Sequence, residues 1–121
     1  MIISLLKSKI HRATVTGVDV GYEGSIVIDA DLMDEVGIYP FEKVLVANLK
    51  TGVRFETYVL AGERGSGAIK LNGATAHLGK VEDRIIIFAF TEMPASEAES
   101  FSPKIIQLDE KNQVVRRSFA R

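Results

Sequence analysis

Short β-prone segments separated by Gly, Asn and Asp make up most of this chain, and that pattern restricts it to a mostly β fold. Ser-Ile-Val-Ile at 25–28 is one such segment. The segments at 43–48 and 53–60 flank a Leu-Lys-Thr-Gly turn, which predicts a hairpin. Many short strands leave many exposed edges unless the sheet closes on itself. We therefore expect a small β-barrel with short helices rather than a sandwich.

Two short helices are expected between the strands. Residues 31–36 cover about one and a half helical turns, with Asp29 or Asp31 as the N-terminal cap and Gly37 ending the helix. A second short helix is expected at 94–100, with a proline near its start. Asn72-Gly73 is the dipeptide best suited to left-handed backbone, so the chain is expected to turn sharply there.

Composition narrows the possible functions. A length of 121 residues fits one domain, here 1–121. The formal net charge of −1 offers no basic field for a phosphate backbone, and no apolar run reaches the length of a membrane span. We therefore expect neither a nucleic-acid nor a membrane partner. The chain has no cysteine, which excludes disulfides and thiol chemistry and fits a cytoplasmic location.

Familiar site motifs do not occur in the sequence. His11 and His77 are the only histidines, neither lies in a metal-binding motif, and we expect no metal. The segment 62–67 (GERGSG) matches neither of the usual phosphate-binding loop spacings and is interpreted as a surface loop. Ser66 in that loop lacks the flanking pattern of a nucleophile elbow.

The segment 21–25 (GYEGS) lies between two strand-like segments and ends in the Gly24–Ser25 peptide. A serine hydroxyl held over the preceding carbonyl can attack it and exchange the amide for an ester, and β-elimination then breaks the chain. Because an ester is less stable than an amide, we expect strain in this turn to drive the exchange. The expected products are fragments 1–24 and 25–121, with a reactive group made from Ser25. The alternative is an ordinary turn that is never cleaved.

Five stretches of the chain resemble the bacterial aspartate 1-decarboxylases, pyruvoyl enzymes that make β-alanine for pantothenate synthesis. The likeness runs in order from the N-terminus to about Asp109. Each motif alone is weak, but five in register are specific. The motifs are 7–16 (KSKIHRATVT), 22–25 (YEGS), 52–58 (GVRFETY), 63–66 (ERGS) and 71–74 (LNGA).

The resemblance implies a six-stranded double-psi β-barrel and a homotetramer with active sites between subunits. It implies a zymogen that cleaves itself between Gly24 and Ser25, so that the longer fragment begins with a pyruvoyl group made from Ser25. That group would form a Schiff base with L-aspartate, in the role that pyridoxal phosphate plays elsewhere. Whether cleavage needs a helper protein is left open.

The same resemblance implies roles for the matching residues. Tyr58 would be the proton donor after decarboxylation, because a neutral phenol can protonate a basic carbon. Arg54, through its planar fork, and Lys9 would bind the two substrate carboxylates. Thr57 would contact the substrate and would also donate to the oxyanion formed during self-cleavage. The other implied substrate contacts are Gly73, Ala74 and Thr75, and the supporting residues are His11, Tyr22 and Asn72.

Several alternatives stay open at the level of sequence. One alternative is that the chain is a non-catalytic β-barrel that binds a partner. Another is that it is a pyruvoyl decarboxylase of another amino acid such as glutamate. His11 is as readily a core residue as a residue near the substrate. Thr57 and Tyr58 would face opposite sides of a regular strand, so a bulge or a pocket shared by two subunits would have to unite them. Gly21 and Thr75 stand where His and Ala are usual in the related enzymes.

Overall fold

The computed structural model describes residues 1–118, so the last three residues of the expected domain 1–121 and of fragment 25–121 lie outside the described part. Strands dominate it, which confirms the prediction of a mostly β fold. The strands are β1 (Ile2–Thr14), β2 (Gly17–Asp19), β3 (Ser25–Asp29), β4 (Lys43–Asn48), β5 (Arg54–Gly62), β6 (Ile69–Asn72), β7 (Arg84–Pro94), β8 (Lys104–Leu108) and β9 (Val114–Ser118). The helices are α1 (Ala30–Val36) and two 3₁₀ helices, Gly73–His77 and Ala95–Ser100.

The strands are hydrogen-bonded in the order β2-β6-β3-β5-β4-β7-β1-β8-β9, with β2 and β9 at the two ends. Three neighbouring pairs are parallel, namely β1–β8, β2–β6 and β3–β5, and the others are antiparallel. Nine strands are paired within residues 1–118, rather than the six that the resemblance implies. Short segments such as β2, which has three residues, add to the count because they also join the ladder.

One face of the sheet encloses an apolar core. Side chains alternate along a strand, and Ile26 and Ile28 of β3, Val59 of β5 and Ile87 of β7 are all fully buried on this face. Each contributes roughly 2 kcal/mol of hydrophobic stabilisation. The residues between them on each strand point the other way. We call that opposite side of the sheet the outer face.

The short helix α1 begins and ends where the sequence predicts. Asp29 is the cap, because its Oδ1 atom accepts a hydrogen bond from the Asp31 N–H at 2.8 Å. Gly37, with φ +73°, ends the helix in left-handed backbone. The same Asp29 carboxylate accepts bonds from the N–H groups of Gly65 at 3.1 Å and Gly67 at 2.9 Å. It therefore ties the end of β3 to the loop before β6.

The predicted hairpin is confirmed, because β4 and β5 pair antiparallel around the Leu-Lys-Thr-Gly turn. Strands β8 and β9 form a second antiparallel hairpin around the turn at 110–112. No helix within residues 1–118 is long and apolar enough to cross a membrane.

Candidate active site

Ser25 is the first residue of β3 and is fully buried. Its hydroxyl group donates to the carbonyl oxygen of Glu23 at 3.2 Å, and the Nδ2 atom of Asn72 donates to Ser25 Oγ at 3.4 Å. Ser25 is also paired with Asn72 across the β3–β6 ladder. The hydroxyl that the sequence predicts as the nucleophile is therefore held beside the Gly24–Ser25 peptide and is shielded from water.

Gly73 packs directly against the peptide that is expected to cleave. It has φ +66°, and a Cβ atom added there would lie 2.6 Å from both Gly24 Cα and Gly24 N and 2.9 Å from the carbonyl oxygen of Tyr22. Such distances are too short for any side chain. Glycine is thus needed at position 73 for two reasons, because L-residues avoid this φ and because the backbone of Gly24 occupies the space.

We expected backbone strain within 21–25, but no residue of this turn adopts left-handed backbone. None of these five residues has a positive φ, and Gly73 is the left-handed residue that touches them. Asp19, which sequence reasoning missed, shapes the turn through a bond from the Gly21 N–H to its Oδ1 atom at 3.1 Å. An Asp two residues before a Gly is a recognised turn signal and would have identified it.

Thr75 reaches the same serine from the 3₁₀ helix that follows β6. Its Oγ1 atom lies 2.7 Å from the carbonyl oxygen of Asn72 and 3.3 Å from the carbonyl oxygen of Ser25, and the residue is 8% exposed. Ala74, between Gly73 and Thr75, is exposed. The Asn-Gly turn therefore continues into a helical turn that brings residues 72 and 75 against Ser25 and residue 73 against Gly24.

Thr57 and Tyr58 lie on opposite faces of β5. The β4–β5 ladder runs from Lys43 to Ala47 without a bulge, pairing Thr57 with the buried Val44 and Tyr58 with the exposed Lys43. Thr57 therefore faces the core, and Tyr58 lies on the outer face, where it stacks on Phe41 with ring centroids 6.4 Å apart. The Phe41 contact is long-range, and no local signal predicts it.

Tyr58 shares the outer face with Ser25. In the parallel β3–β5 ladder Ile26 pairs with Val59. The preceding residues of the two strands are Ser25 and Tyr58, and they therefore stand side by side on the opposite face. An open cleft of about 550 Å³ lies along this face, lined in part by Tyr22, Asn72 and neighbouring residues of β3, β5 and β6. The geometry groups Tyr58, and not Thr57, with the serine.

Arg54 and Lys9 also lie on the outer face, but apart from Ser25. Arg54 is exposed, and its side chain has no hydrogen bond or ion pair within residues 1–118. It precedes Tyr58 by four residues, about 13 Å along a strand. Lys9 pairs with Phe88, which pairs with Leu45 of β4, so Lys9 lies two strands beyond β4 and three beyond β5. Its ammonium group is 5.7 Å from the Phe88 ring centroid. One copy of the chain therefore does not gather both cations around Ser25.

His11 shares a separate small cavity with Lys9. The cavity has a volume of about 180 Å³ and is also lined by residues of β8 and β9. Burial lowers the pKa of His11 below its ordinary value of 6.5, and the charges of Lys9, Arg12 and Arg84 lower it further. The imidazole is thus neutral at pH 7, and its buried Nδ1 atom has no hydrogen-bond partner within residues 1–118.

Sequence comparison decides the family. A sequence model described as aspartate decarboxylase matches residues 1–115. The chain belongs to the aspartate decarboxylase family. A protein of Chloroherpeton thalassium called aspartate 1-decarboxylase is 52% identical over 93% of this chain and 83% of its own. Proteins of the same name from Ruminiclostridium cellulolyticum and Caldicellulosiruptor saccharolyticus are 48% and 52% identical, each over 98% of this chain and 92% of their own.

As a member of the aspartate decarboxylase family, the chain is an enzyme, and one end of its outer face carries the densest set of predicted residues. Asn72 and Thr75 contact Ser25 there, Gly73 packs against Gly24, and Tyr58 is next to Ser25 by strand register. Lys9, His11 and Arg54 lie elsewhere on the chain, Thr57 faces the core and Ala74 is exposed. No group of three or more His, Cys, Asp or Glu side chains suited to a metal ion occurs within residues 1–118.

Proposed function

We propose that this chain carries out its family's reaction, decarboxylation of L-aspartate to β-alanine and CO₂ for pantothenate synthesis, through a pyruvoyl group made from Ser25. The observation that carries the proposal is the enclosure of the Gly24–Ser25 peptide. Asn72 donates to the buried Ser25 hydroxyl, Thr75 lies against the Ser25 carbonyl oxygen, and Gly73 packs against the Gly24 backbone. A serine in an ordinary surface turn is not enclosed in this way.

Self-cleavage follows from the chain's own groups. The Ser25 hydroxyl attacks the Gly24 carbonyl carbon, the peptide becomes an ester, and elimination releases fragment 1–24 from fragment 25–121. Asn72 holds Ser25 Oγ through its Nδ2 atom, and Gly73 fixes the position of Gly24 by direct backbone contact. Each of these groups acts by positioning, which reduces the entropic cost of bringing hydroxyl and carbonyl together.

The residues around Ser25 fit a pyruvoyl group. The buried pocket has room only for a glycine at position 73, so a small planar group at the start of β3 faces backbone rather than bulky side chains. A pyruvoyl group supplies a ketone for the substrate amine and a conjugated carbonyl that withdraws electrons as CO₂ leaves. Because the ketone is the electrophile, the proposal requires neither a metal nor pyridoxal phosphate.

The substrate carries two carboxylates, and we assign them to Arg54 and Lys9 together with the backbone of Gly73 and Ala74. Arg54 has a free guanidinium group on the outer face, and a fork of this kind binds a carboxylate through two bonds. Lys9 lies on the same face, several strands away from Ser25. A second copy of the chain that packs against this face can supply a cation that its own copy does not.

This division of residues supports a homotetramer with active sites between subunits. The outer face carries large exposed aromatic side chains, Phe41 at 74% and Phe90 at 48% exposure, next to Tyr58 and Phe88 respectively. Aromatic residues of this kind are enriched where protein surfaces associate. Within such an assembly, we propose the double-psi variant of the β-barrel. The three parallel pairs between strands distant in sequence support it.

Tyr58 is the proposed proton donor, because it is adjacent to Ser25 on the outer face and a neutral phenol can protonate a basic carbon. Thr57, Tyr22 and His11 belong to the proposed site through the family resemblance alone. A cytoplasmic location is proposed on the same ground, since the family's product serves a biosynthetic pathway.

Product analysis tests the proposal. Purified, matured enzyme is incubated separately with L-aspartate and L-glutamate, and the amino-acid products are separated and quantified. We expect β-alanine from aspartate and no decarboxylation of glutamate. Decarboxylation of glutamate alone would show that glutamate, and not aspartate, is the substrate. An uncut chain that is inactive on both amino acids would favour the non-catalytic binding module.

A matched tyrosine pair tests the proton donor. Tyr58→Phe should mature at the normal rate but lose most of its turnover, because the phenol hydroxyl is needed only after CO₂ leaves. Tyr39→Phe is the control, since Tyr39 is exposed and lies outside the proposed site. An unchanged kcat in Tyr58→Phe would remove Tyr58 from this role.

A further inference from the structure

The side-chain hydroxyl of Thr75 is directed at a different atom of Ser25 from the one that Asn72 contacts. Asn72 approaches Ser25 Oγ, the attacking atom, whereas Thr75 Oγ1 is 3.3 Å from the carbonyl oxygen of Ser25. No other side chain within residues 1–118 donates a hydrogen bond to that oxygen. The Thr75 side chain is buried, so water does not compete for its hydroxyl hydrogen.

That carbonyl oxygen becomes charged in the second step of maturation. Once the ester between Gly24 and Ser25 Oγ has formed, elimination removes the hydrogen from Cα of residue 25 and breaks its Cβ–O bond. The departing Gly24 carboxyl group keeps the electron pair of that bond, and the proton passes to this carboxyl group or, as it ionises, to solvent. The remaining dehydroalanine takes up water and releases ammonia to give the keto end. As the Cα–H bond breaks, negative charge spreads onto the Ser25 carbonyl oxygen.

We propose that the Thr75 hydroxyl group stabilises this developing charge and so accelerates the elimination. The inference rests on the proposed function, because it concerns how Ser25 becomes the reactive group. In the uncut chain the single hydroxyl hydrogen has a nearer acceptor, the Asn72 carbonyl at 2.7 Å. A hydroxyl rotates freely about its C–O bond, so the hydrogen can turn to the Ser25 oxygen when that oxygen gains charge.

The hydrogen bond from Thr75 to the Ser25 carbonyl oxygen becomes stronger as the elimination proceeds. A hydrogen bond to a charged oxygen is roughly twice as strong as one to a neutral carbonyl. The Thr75 contact is therefore weak in the ground state, at 3.3 Å, and strongest in the transition state. Only interactions that strengthen in this way increase a rate. The initial attack by Ser25 Oγ places its charge on the Gly24 carbonyl oxygen instead, so Thr75 should leave that step unchanged.

The test separates the two steps. Thr75→Val removes the hydroxyl and keeps the shape of the buried side chain, and Thr75→Ser retains the hydroxyl as the matched control. Freshly purified zymogen of each form is incubated, sampled over time, and treated with or without hydroxylamine under denaturing conditions. Hydroxylamine cuts the ester but not ordinary amides. Asn72-Gly73 is the one peptide bond of the chain that it can also attack, and a cut there gives fragments of different mass. Intact mass then distinguishes unbroken chain, ester-derived fragment beginning with Ser25, and fragment with the keto end, which is lighter by one ammonia.

In Thr75→Val we expect the keto end to form more slowly, by up to about tenfold, because a charged oxygen loses one donor. The hydroxylamine-sensitive fraction should increase. Thr75→Ser should form the keto end within about threefold of the wild-type rate. An unchanged rate in Thr75→Val would overturn the inference. So would a Thr75→Val chain that folds, by circular dichroism, but never becomes hydroxylamine-sensitive, because the defect would then lie in the first step. A wild-type chain that stays uncut contradicts the proposed function itself, whatever the variants do.

Discussion

The chain contains two Gly-Ser peptides in loops that precede strands, and they differ in almost everything but sequence. In the first, Ser25 Oγ donates to the carbonyl two residues before it, and in the second, Ser66 Oγ donates to the Glu63 carbonyl at 2.6 Å. Ser25 is fully buried, whereas Ser66 is exposed. The first is enclosed by Asn72, Gly73 and Thr75. The second is held through its backbone by Asp29.

The difference shows that a dipeptide alone does not define a self-cleavage site. Both serines have the hydroxyl and the preceding glycine that an acyl shift requires. At Ser66 the hydroxyl is exposed, and within residues 1–118 no side chain on another strand bonds the serine to hold it over the preceding carbonyl. At Ser25 the surrounding atoms position the hydroxyl and exclude water, which strengthens each electrostatic interaction. Three pairs of variants test whether this distinction is the cause.

The largest effect is expected for the serines themselves. Ser25→Ala should leave a folded chain that is never cut and has no activity, because the nucleophile is gone. Ser66→Ala should be cut at the wild-type rate and lose at most about 1 kcal/mol of stability through its hydrogen bonds. Denaturing electrophoresis after prolonged warming measures both, and cleavage in Ser25→Ala would refute the cofactor assignment.

A glycine pair comes next. Gly73→Ala should slow cleavage by about 100-fold, because the added Cβ must displace the Gly24 backbone and misplacement by about 1 Å has costs of this size. Gly65→Ala is the control, with a similar φ of +76° and nothing nearer than 4.0 Å to the added Cβ. Both variants should lose a similar amount of folding stability from placing alanine in left-handed backbone. Equal cleavage rates in the two variants would show that strain, and not contact with Gly24, matters.

An asparagine at the first site should have a moderate effect. Asn72→Ala removes the bond to Ser25 Oγ, which is long at 3.4 Å, so we expect cleavage to slow by roughly three- to tenfold. The rate is measured from the intact masses of timed samples. A loss as complete as that of Ser25→Ala would mean that Asn72 takes part in the chemistry rather than holding the hydroxyl.

The smallest effect on cleavage is expected from the asparagine that supports the second loop. Asn112 is buried and bonds Thr14 N at 2.7 Å, Thr14 O at 2.8 Å and Gly67 O at 2.7 Å. Asn112→Ala should lower the free energy of unfolding by about 3 kcal/mol, because these backbone groups lose their partner. Chemical denaturation of the uncut Ser25→Ala background measures this. The cleavage rate of folded Asn112→Ala should be unchanged, and a large decrease would mean that the two regions are coupled.

The sequence predicts those parts of the molecule that depend on local signals. The α1 helix, with Asp29 before it and Gly37 after it, is defined by residues within one turn of its ends. The two hairpins are likewise set by turn residues and flanking β-branched segments. Asn72-Gly73 marks a turn, but the 3₁₀ helix that follows depends on packing against the Gly24 loop and is not visible in the sequence.

The arrangement of the site is mostly long-range and could not be predicted. The bonds that Asn72 and Thr75 make to Ser25 join residues 47 and 50 positions apart, and no local pattern encodes them. Strand periodicity does predict that Thr57 and Tyr58 face opposite ways, and the ladder agrees. Which of the two accompanies Ser25 depends on the β3–β5 register, set by burial of Ile26 and Val59 in the core.

The account stands on cleavage at Gly24–Ser25, and the intact mass of the matured, denatured protein tests it most directly. It predicts two species, fragment 1–24 with an ordinary carboxyl end and fragment 25–121 with a keto end in place of its serine. Borohydride together with aspartate should add mass to the longer fragment alone. A single unbroken chain in catalytically active material, or a cut at Gly65–Ser66 instead, would contradict it.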